Sequence, residues 1–243
     1  IFLLIKIYYR VIGLSIIFQN KILNILFLFG IASMIFGSLS AIRQDDLKKM
    51  IAYSSVAQIG YIYMGIGLGT TAGMLAAVFH IMSHAASKSM MFLSASGLSQ
   101  VSGRSCNYRK LIGAAHRNRI AGFAFLVGAF SMVGIPMTAG YISKVYFAQA
   151  AIQAPYQFKM IITVITLGIS TILNAIYFMK TVIRIYTPDR KGMAVQKNFV
   201  KIKAKDQMAK SVALVCFIIL NLVLGLGSEP IIKLFEDGLK MFA

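Results

Sequence analysis

The chain has 243 residues, of which 58% are apolar and 13% charged, about half the charged share of a soluble domain. The apolar residues gather in runs of about 20, the length that crosses a hydrocarbon core of ~30 Å. A water-soluble fold is excluded, and the net charge of +18 has to be explained by where the basic residues sit before nucleic acid is considered.

Taken in chain order, the apolar runs are 1–18, 22–42, 51–69, 72–98, 120–152, 160–183 and 212–228. They predict six or seven membrane helices, the first of them a truncated span. The connectors at 19–21 and 70–71 are so short that neighbouring helices should pack as antiparallel hairpins. The fold class is therefore all-α: a polytopic membrane helix bundle occupying 1–228, followed at 229–243 by an amphipathic surface helix. In that tail Ile231, Ile232, Leu234, Phe235 and Leu239 fall near helical spacing against Lys233, Glu236, Asp237 and Lys240, a pattern suited to lying along a membrane surface. The sequence starts at Ile1 with no signal-peptide pattern, which suggests that an amino-terminal half is missing.

Basic residues are distributed by side. If every run crosses once, loops 43–50, 99–119 and 184–211 share a side, and they hold 16 of the 25 Lys and Arg residues. The opposite side holds Lys21, Lys159, Lys233 and Lys240. By the positive-inside rule the three basic loops face the cytoplasm or the mitochondrial matrix, so the charge reads as a topology signal and no nucleic-acid partner is expected.

Five basic residues, Lys6, Arg10, Lys88, Lys144 and Lys180, fall inside the runs. Lys180 is one turn from a basic loop and can snorkel. Lys88 is different. It lies about ten residues, or ~15 Å, from the end of its helix, and a lysine near mid-membrane costs at least ~2.5 kcal/mol. It follows His80 and His84 at i+8 and i+4, which places the three on one narrow helical stripe, widened by Ser83 and Ser87. Imidazole donates from one nitrogen while accepting on the other, so the stripe reads as a proton relay.

The run 120–152 contains GIPMTAGYISK, with Gly134, Pro136, Thr138, Gly140 and Lys144. Pro136 has no N–H for the Met132 carbonyl, so this helix should be kinked or broken. Broken helices in membranes survive only where protein or water satisfies the freed groups, and a break followed by Lys144 points to a transport path. Run 51–69 carries Tyr53, Ser54, Ser55, Gln58 and Tyr61, for which hydrogen bonding between helices is the default. No run contains an acid, Cys106 and Cys216 show no paired or metal-ligating spacing, and no cofactor or metal is expected.

Three segments, RQDDLKKMIAYSSVAQIGYIYMGIG, FHIMSHAASKSMMFLSASG and FLVGAFSMVGIPMTAGYISKVYF, resemble the antiporter-like membrane subunits shared by respiratory complex I, Mrp-type sodium/proton antiporters and energy-converting hydrogenases. The resemblance covers at least residues 22–152 and only the carboxy-terminal half of the family's pattern. It implies a proton channel in which Lys88, preceded by His80 and His84, relays protons and Lys144, beyond the break at Pro136, opens the path to the other side. It also implies other membrane subunits as partners, a bacterial or mitochondrial inner membrane as location, and sodium as an optional exchanged ion. The family's first half-channel, with its glutamate and lysine, has no counterpart here. This marks the chain as a fragment, a split-gene product paired with another chain, or a decayed copy. Val145 after Lys144 and the short tail lean toward the Mrp-like branch.

The expected function is thus proton translocation inside a multisubunit complex, with no bond chemistry of the chain's own. A stand-alone secondary transporter would need a second broken helix, and no second proline-interrupted run is present. A purely structural subunit would have the His80, His84 and Lys88 stripe packed dry.

Overall fold

The computed structural model describes residues 2–7, 21–188 and 204–240, and among them all regular structure is helical apart from one isolated bridge, Asp46 to Asn107. The helices are α1 (Phe2–Lys6), α2 (Ile22–Ile42), α3 (Leu47–Gly67), α4 (Thr71–Gln100), α5 (Ala114–Arg117), α6 (Arg119–Val133), α7 (Ala139–Ile152), α8 (Gln157–Tyr186), α9 (Ala204–Leu226) and α10 (Ser228–Lys240). The run expected at 1–18, with Arg10, lies largely outside the described residues.

Three helix starts are set by side-chain caps. Asp46 accepts from Lys49 N at 3.1 Å, which begins α3 four residues before the apolar run, and Thr70 accepts from Gly73 N at 3.0 Å to begin α4. Asn118 does the same for α6 through Ala121 N at 3.2 Å. Each satisfies one of the amides that a helix start leaves free.

Three described helices, α2, α8 and residues 208–226 of α9, are each long and apolar enough to cross a membrane. α3 and α4 are as long but more polar, because their side chains are mostly buried in protein instead of facing lipid. α4 runs through the middle, packed on α3, α6, α7 and α9. α2 crosses α3 with backbones in contact: a Cβ on Gly60 would stand 2.6 Å from Gly30 O. The outer faces carry exposed Leu28, Phe29 and Phe36 on α2, Ile165 and Ile172 on α8, and Ile219 and Val223 on α9, the surface a bilayer requires.

The loops form a compact cap at one end of the bundle. Leu47 N donates to Cys106 O at 2.9 Å, Tyr108 N to Asp45 O at 3.0 Å, and His116 Nε2 to Tyr186 O at 2.8 Å. Arg117 donates to Val101 O and Ile112 O, both at 3.0 Å. The ends of α2, α4 and α8 therefore meet, and the described parts of the three basic loops lie together. At the other end the buried Lys159 donates to Gly67 O at 2.7 Å, tying the start of α8 to the end of α3.

α10 puts Ile231, Ile232, Phe235 and Leu239 against Leu75 and Phe79 of α4, while Leu234 stays 69% exposed. The apolar side of this amphipathic helix is thus taken up by protein, and Leu234 belongs to its opposite face.

Candidate functional site

The apolar run 120–152 is two half-helices, α6 and α7, separated by residues 134–138. Proline is not what stops α6. Gly134 ends it in the left-handed region at φ +90°, and Ile135 N reaches back to Phe130 O at 3.0 Å, the six-to-one bond of a glycine stop. Pro136 then prevents the helix from resuming, and Met137 takes a positive φ of +74°, a conformation that costs about 1–3 kcal/mol and persists only when its surroundings enforce it.

The break frees the carbonyls of Met132 and Val133, whose ordinary helical donors would be the amides of residues 136 and 137. Lys144 replaces them. Its Nζ donates to Met132 O at 3.3 Å and Val133 O at 2.5 Å, with a third bond to Thr171 Oγ1 on α8 at 3.1 Å. The side chain turns inward and does not snorkel. Across the gap Ser131 Oγ accepts from Gly140 N at 3.1 Å, so α7 restarts pinned to α6. A Cβ on Gly140 would run into the Ser131 carbonyl. Gly140→Ala is therefore expected to destabilise the protein by about 3 kcal/mol, read as a lower thermal midpoint of the purified chain in detergent.

His80 and Lys88 are buried, with 3% and 6% of their surfaces exposed, and His84 is half-buried. The two imidazoles are parallel, 6.2 Å between centroids and 4° between planes. Ser143 Oγ donates to Gly140 O at 3.1 Å, so His80 Nδ1 must be the donor in its 2.9 Å bond to that hydroxyl. Neutral His80 then presents Nε2 as a bare acceptor. Nε2 of both histidines is buried and has no hydrogen-bond partner among the described residues.

Lys88 Nζ donates to Ile51 O at 3.0 Å and to Ser54 Oγ, both on α3. Ser87, one residue earlier, faces elsewhere: it bonds Ser131 Oγ at 3.1 Å and accepts from Asn221 Nδ2 of α9 at 2.7 Å. Tyr61 connects the two halves of the site. Its ring stacks on His80 at 5.4 Å, and Lys144 Nζ lies 5.8 Å from its centroid. The geometry thus brings His80, His84, Lys88, Lys144 and the break into one region of the bundle interior.

Two sets of residues were not legible as site residues. The polar members of α3 bond between helices at Ser54, which accepts from Lys88 of α4; Ser54 and Ser55 also donate to Ile51 O of their own helix, while Gln58 Nε2 and Tyr61 Oη have no partner among the described residues. On α8 a buried polar stripe of Thr163, Thr166, Ser170, Asn174, Tyr177 and Thr181 faces the interior. Its spacing of three and four residues was a signal in the sequence. At its cap end Tyr108 Oη donates to Thr181 Oγ1 at 2.8 Å, and burial pushes the Tyr108 hydroxyl up to about 12, so it stays a donor across the physiological range.

The fold and site define a membrane helix bundle with a broken inner helix and two lysines, Lys88 and Lys144, turned into its interior. The family model described as NADH:quinone oxidoreductase/Mrp antiporter, TM, matches residues 3–170. The chain belongs to this family and is an integral membrane protein. It is 36% identical over 155 residues to NADH-quinone oxidoreductase subunit N of Desulforudis audaxviator, covering 64% of this chain and 30% of that protein. It is 29% identical over 201 residues to a Na(+)/H(+) antiporter subunit of Alkalihalophilus pseudofirmus, covering 83% and 38%. The chain thus spans well under half the length of these relatives. Its structure is similar to a chain of the Mrp complex from Dietzia sp. DQ12-45-1b, with TM-score 0.76 at 22% identity over 94% of this chain and 48% of that one. A chain of respiratory complex I from Thermus thermophilus gives TM-score 0.72 at 19% identity, over 95% and 48%. These likenesses carry the fold: an all-α membrane bundle with one broken helix.

Proposed function

We propose that this chain conducts protons across a membrane through His80, His84, Lys88 and Lys144, as an antiporter-like subunit working beside other membrane subunits, with sodium as an optional exchanged ion. The observation that carries this reading is the pair of stacked imidazoles with unpartnered buried Nε2 atoms, lying between Lys88 on their own helix and Lys144 beyond Tyr61. A purely structural subunit accounts for the carbonyl bonds of the two lysines. It does not account for two buried ring nitrogens left without a partner, because each costs about 1–3 kcal/mol unless water and protons visit it.

The break supplies the gate. Lys144 holds the α6 end by the same nitrogen that carries the proton, so its protonation changes both charge and the bonds of Met132 O and Val133 O. The basic loops, whose described parts gather at one end of the bundle, are assigned to the cytoplasmic or matrix side. Residues 1–228 are the channel unit and 229–243 an accessory amphipathic segment. Relatives from both the quinone-reductase and the Mrp branches match this chain, so proton movement is the shared element of the proposal.

The test is proton uptake into vesicles holding the complex that contains this chain. The Lys88→Ala/Lys144→Ala double variant is expected to abolish uptake driven by the complex, and undiminished uptake rejects the reading.

A further inference from the structure

The proposed relay leaves one buried lysine unused. Lys159 stands in the first turn of α8, at the end of the bundle away from the basic cap, with 9% of its surface exposed. Its Nζ donates to Gly67 O, the last carbonyl of α3, at 2.7 Å and lies 5.4 Å from the centre of the Phe27 ring of α2. No carboxylate pairs with it among the described residues. Both partners favour a cation over a neutral donor, because a helix carboxy terminus carries partial negative charge and a ring face attracts an ammonium. The place is built to hold a charge, whereas a tie between α3 and α8 would need only a donor.

Position gives that charge its use. Thr163, Thr166 and Ser170 follow Lys159 at i+4, i+7 and i+11 along the buried side of α8, and the next residue, Thr171, accepts from Lys144 at 3.1 Å. Lys159 therefore stands about 18 Å along the helix from Thr171, at the far end of the polar stripe. Thr163 Oγ1 and Ser170 Oγ are buried with no partner among the described residues, which leaves them free to hold water. The remainder of this stretch is apolar, since Leu167 clusters with Phe27, Met64, Leu68 and Phe147. A few hydroxyls in such a wall offer too little to replace the hydration shell of a metal cation. We infer that Lys159 sets the ion specificity of this end of the path: its ammonium repels sodium and other metal cations, while a proton passes by exchange at Nζ.

This inference rests on the proposed function and decides what the path admits, so that any sodium exchanged by the complex crosses elsewhere. In the exchange one N–H bond of the Lys159 ammonium breaks, and a water at the mouth takes the proton as hydronium. The neutral amine then forms a new N–H bond with the proton of a hydronium arriving beside Thr163, whose water is left neutral. The charge at Nζ is restored. Sodium has no bond to trade. It meets the fixed positive charge with no carboxylate to offset it, at a depth where Coulomb repulsion is stronger than in bulk water.

The experiment places Lys159→Gln and Lys159→Arg in the complex reconstituted in vesicles and reads driven proton uptake, passive entry of radioactive sodium and the thermal midpoint. Glutamine keeps a donor for Gly67 O and removes the charge. Arginine keeps donor and charge but does not release its proton in the working pH range. Lys159→Gln is expected to admit sodium about tenfold or more faster than wild type. Lys159→Arg is expected to exclude sodium as wild type does and to lose about tenfold or more of its proton uptake. Should Lys159→Gln not assemble, the uptake of the arginine variant decides. A simple tie predicts wild-type sodium entry and uptake in both, so unchanged sodium entry in Lys159→Gln, or full uptake in Lys159→Arg, overturns the inference and leaves the function of Lys88 and Lys144 standing. Full uptake in the Lys88→Ala/Lys144→Ala double variant overturns that function and this inference with it.

Discussion

Replacing Lys88 by methionine is expected to lower proton uptake about 10²-fold while leaving the chain as stable as before. The amine has no acidic partner among the described residues, and it is held only by Ile51 O and Ser54 Oγ. Its removal orphans nothing. Ile51 O keeps the hydroxyls of Ser54 at 2.8 Å and Ser55 at 3.1 Å, and Ser54 keeps Ile51 O as its acceptor. Methionine is flexible enough to fill the space beside Phe178, whose ring lies 5.8 Å from Nζ. Taking a charged group and its desolvation cost of several kcal/mol out of the interior is at worst neutral. The measurements are uptake in vesicles and the thermal midpoint of the same preparation. Loss of uptake at an unchanged midpoint assigns Lys88 to transport, whereas a fallen midpoint makes it a structural tie.

What could be read in the sequence follows from what each feature depends on. The runs at 22–42, 72–98 and 160–183 are found within a few residues as α2, α4 and α8, since hydropathy and helix length are local quantities set by bilayer thickness. The break near Pro136 was legible for the same reason, because glycine and proline act on their own backbone. Partners of polar side chains were not. Ser54 could pair across helices or with its own, and it does both only because Lys88 of α4 packs against it. Asn221 sits in an apolar stretch, VCFIILNLVLG, and its bond to Ser87 Oγ at 2.7 Å depends on α9 crossing α4. The amphipathicity of α10 was plain, but whether lipid or protein covers its apolar side is a property of the neighbour, here Leu75 and Phe79.

The same substitution at Lys144 should behave differently, and the contrast isolates what the break requires. Lys144→Met is expected to abolish uptake and also to destabilise the chain by about 2–4 kcal/mol, because two carbonyls lose their only donor and each unmet buried group costs about 1–3 kcal/mol. Met132 O and Val133 O cannot recover helical partners: position 136 is proline, and residue 137 has left the helix at φ +74°. Nor can α6 rearrange freely, since Gly134 at φ +90° already fixes its last turn. A cation at a helix carboxy terminus adds favourable energy with the dipole, which methionine forfeits as well. Lys144→Arg keeps donors and charge, so it should recover most of the thermal midpoint. It should recover little of the uptake, because guanidinium does not release its proton in the working pH range. A midpoint that falls in Lys144→Met, returns in Lys144→Arg and is unmoved in Lys88→Met separates holding the break from carrying the proton. Equal midpoints in all three would mean that the carbonyls find water instead, and the break would not depend on the lysine that it faces.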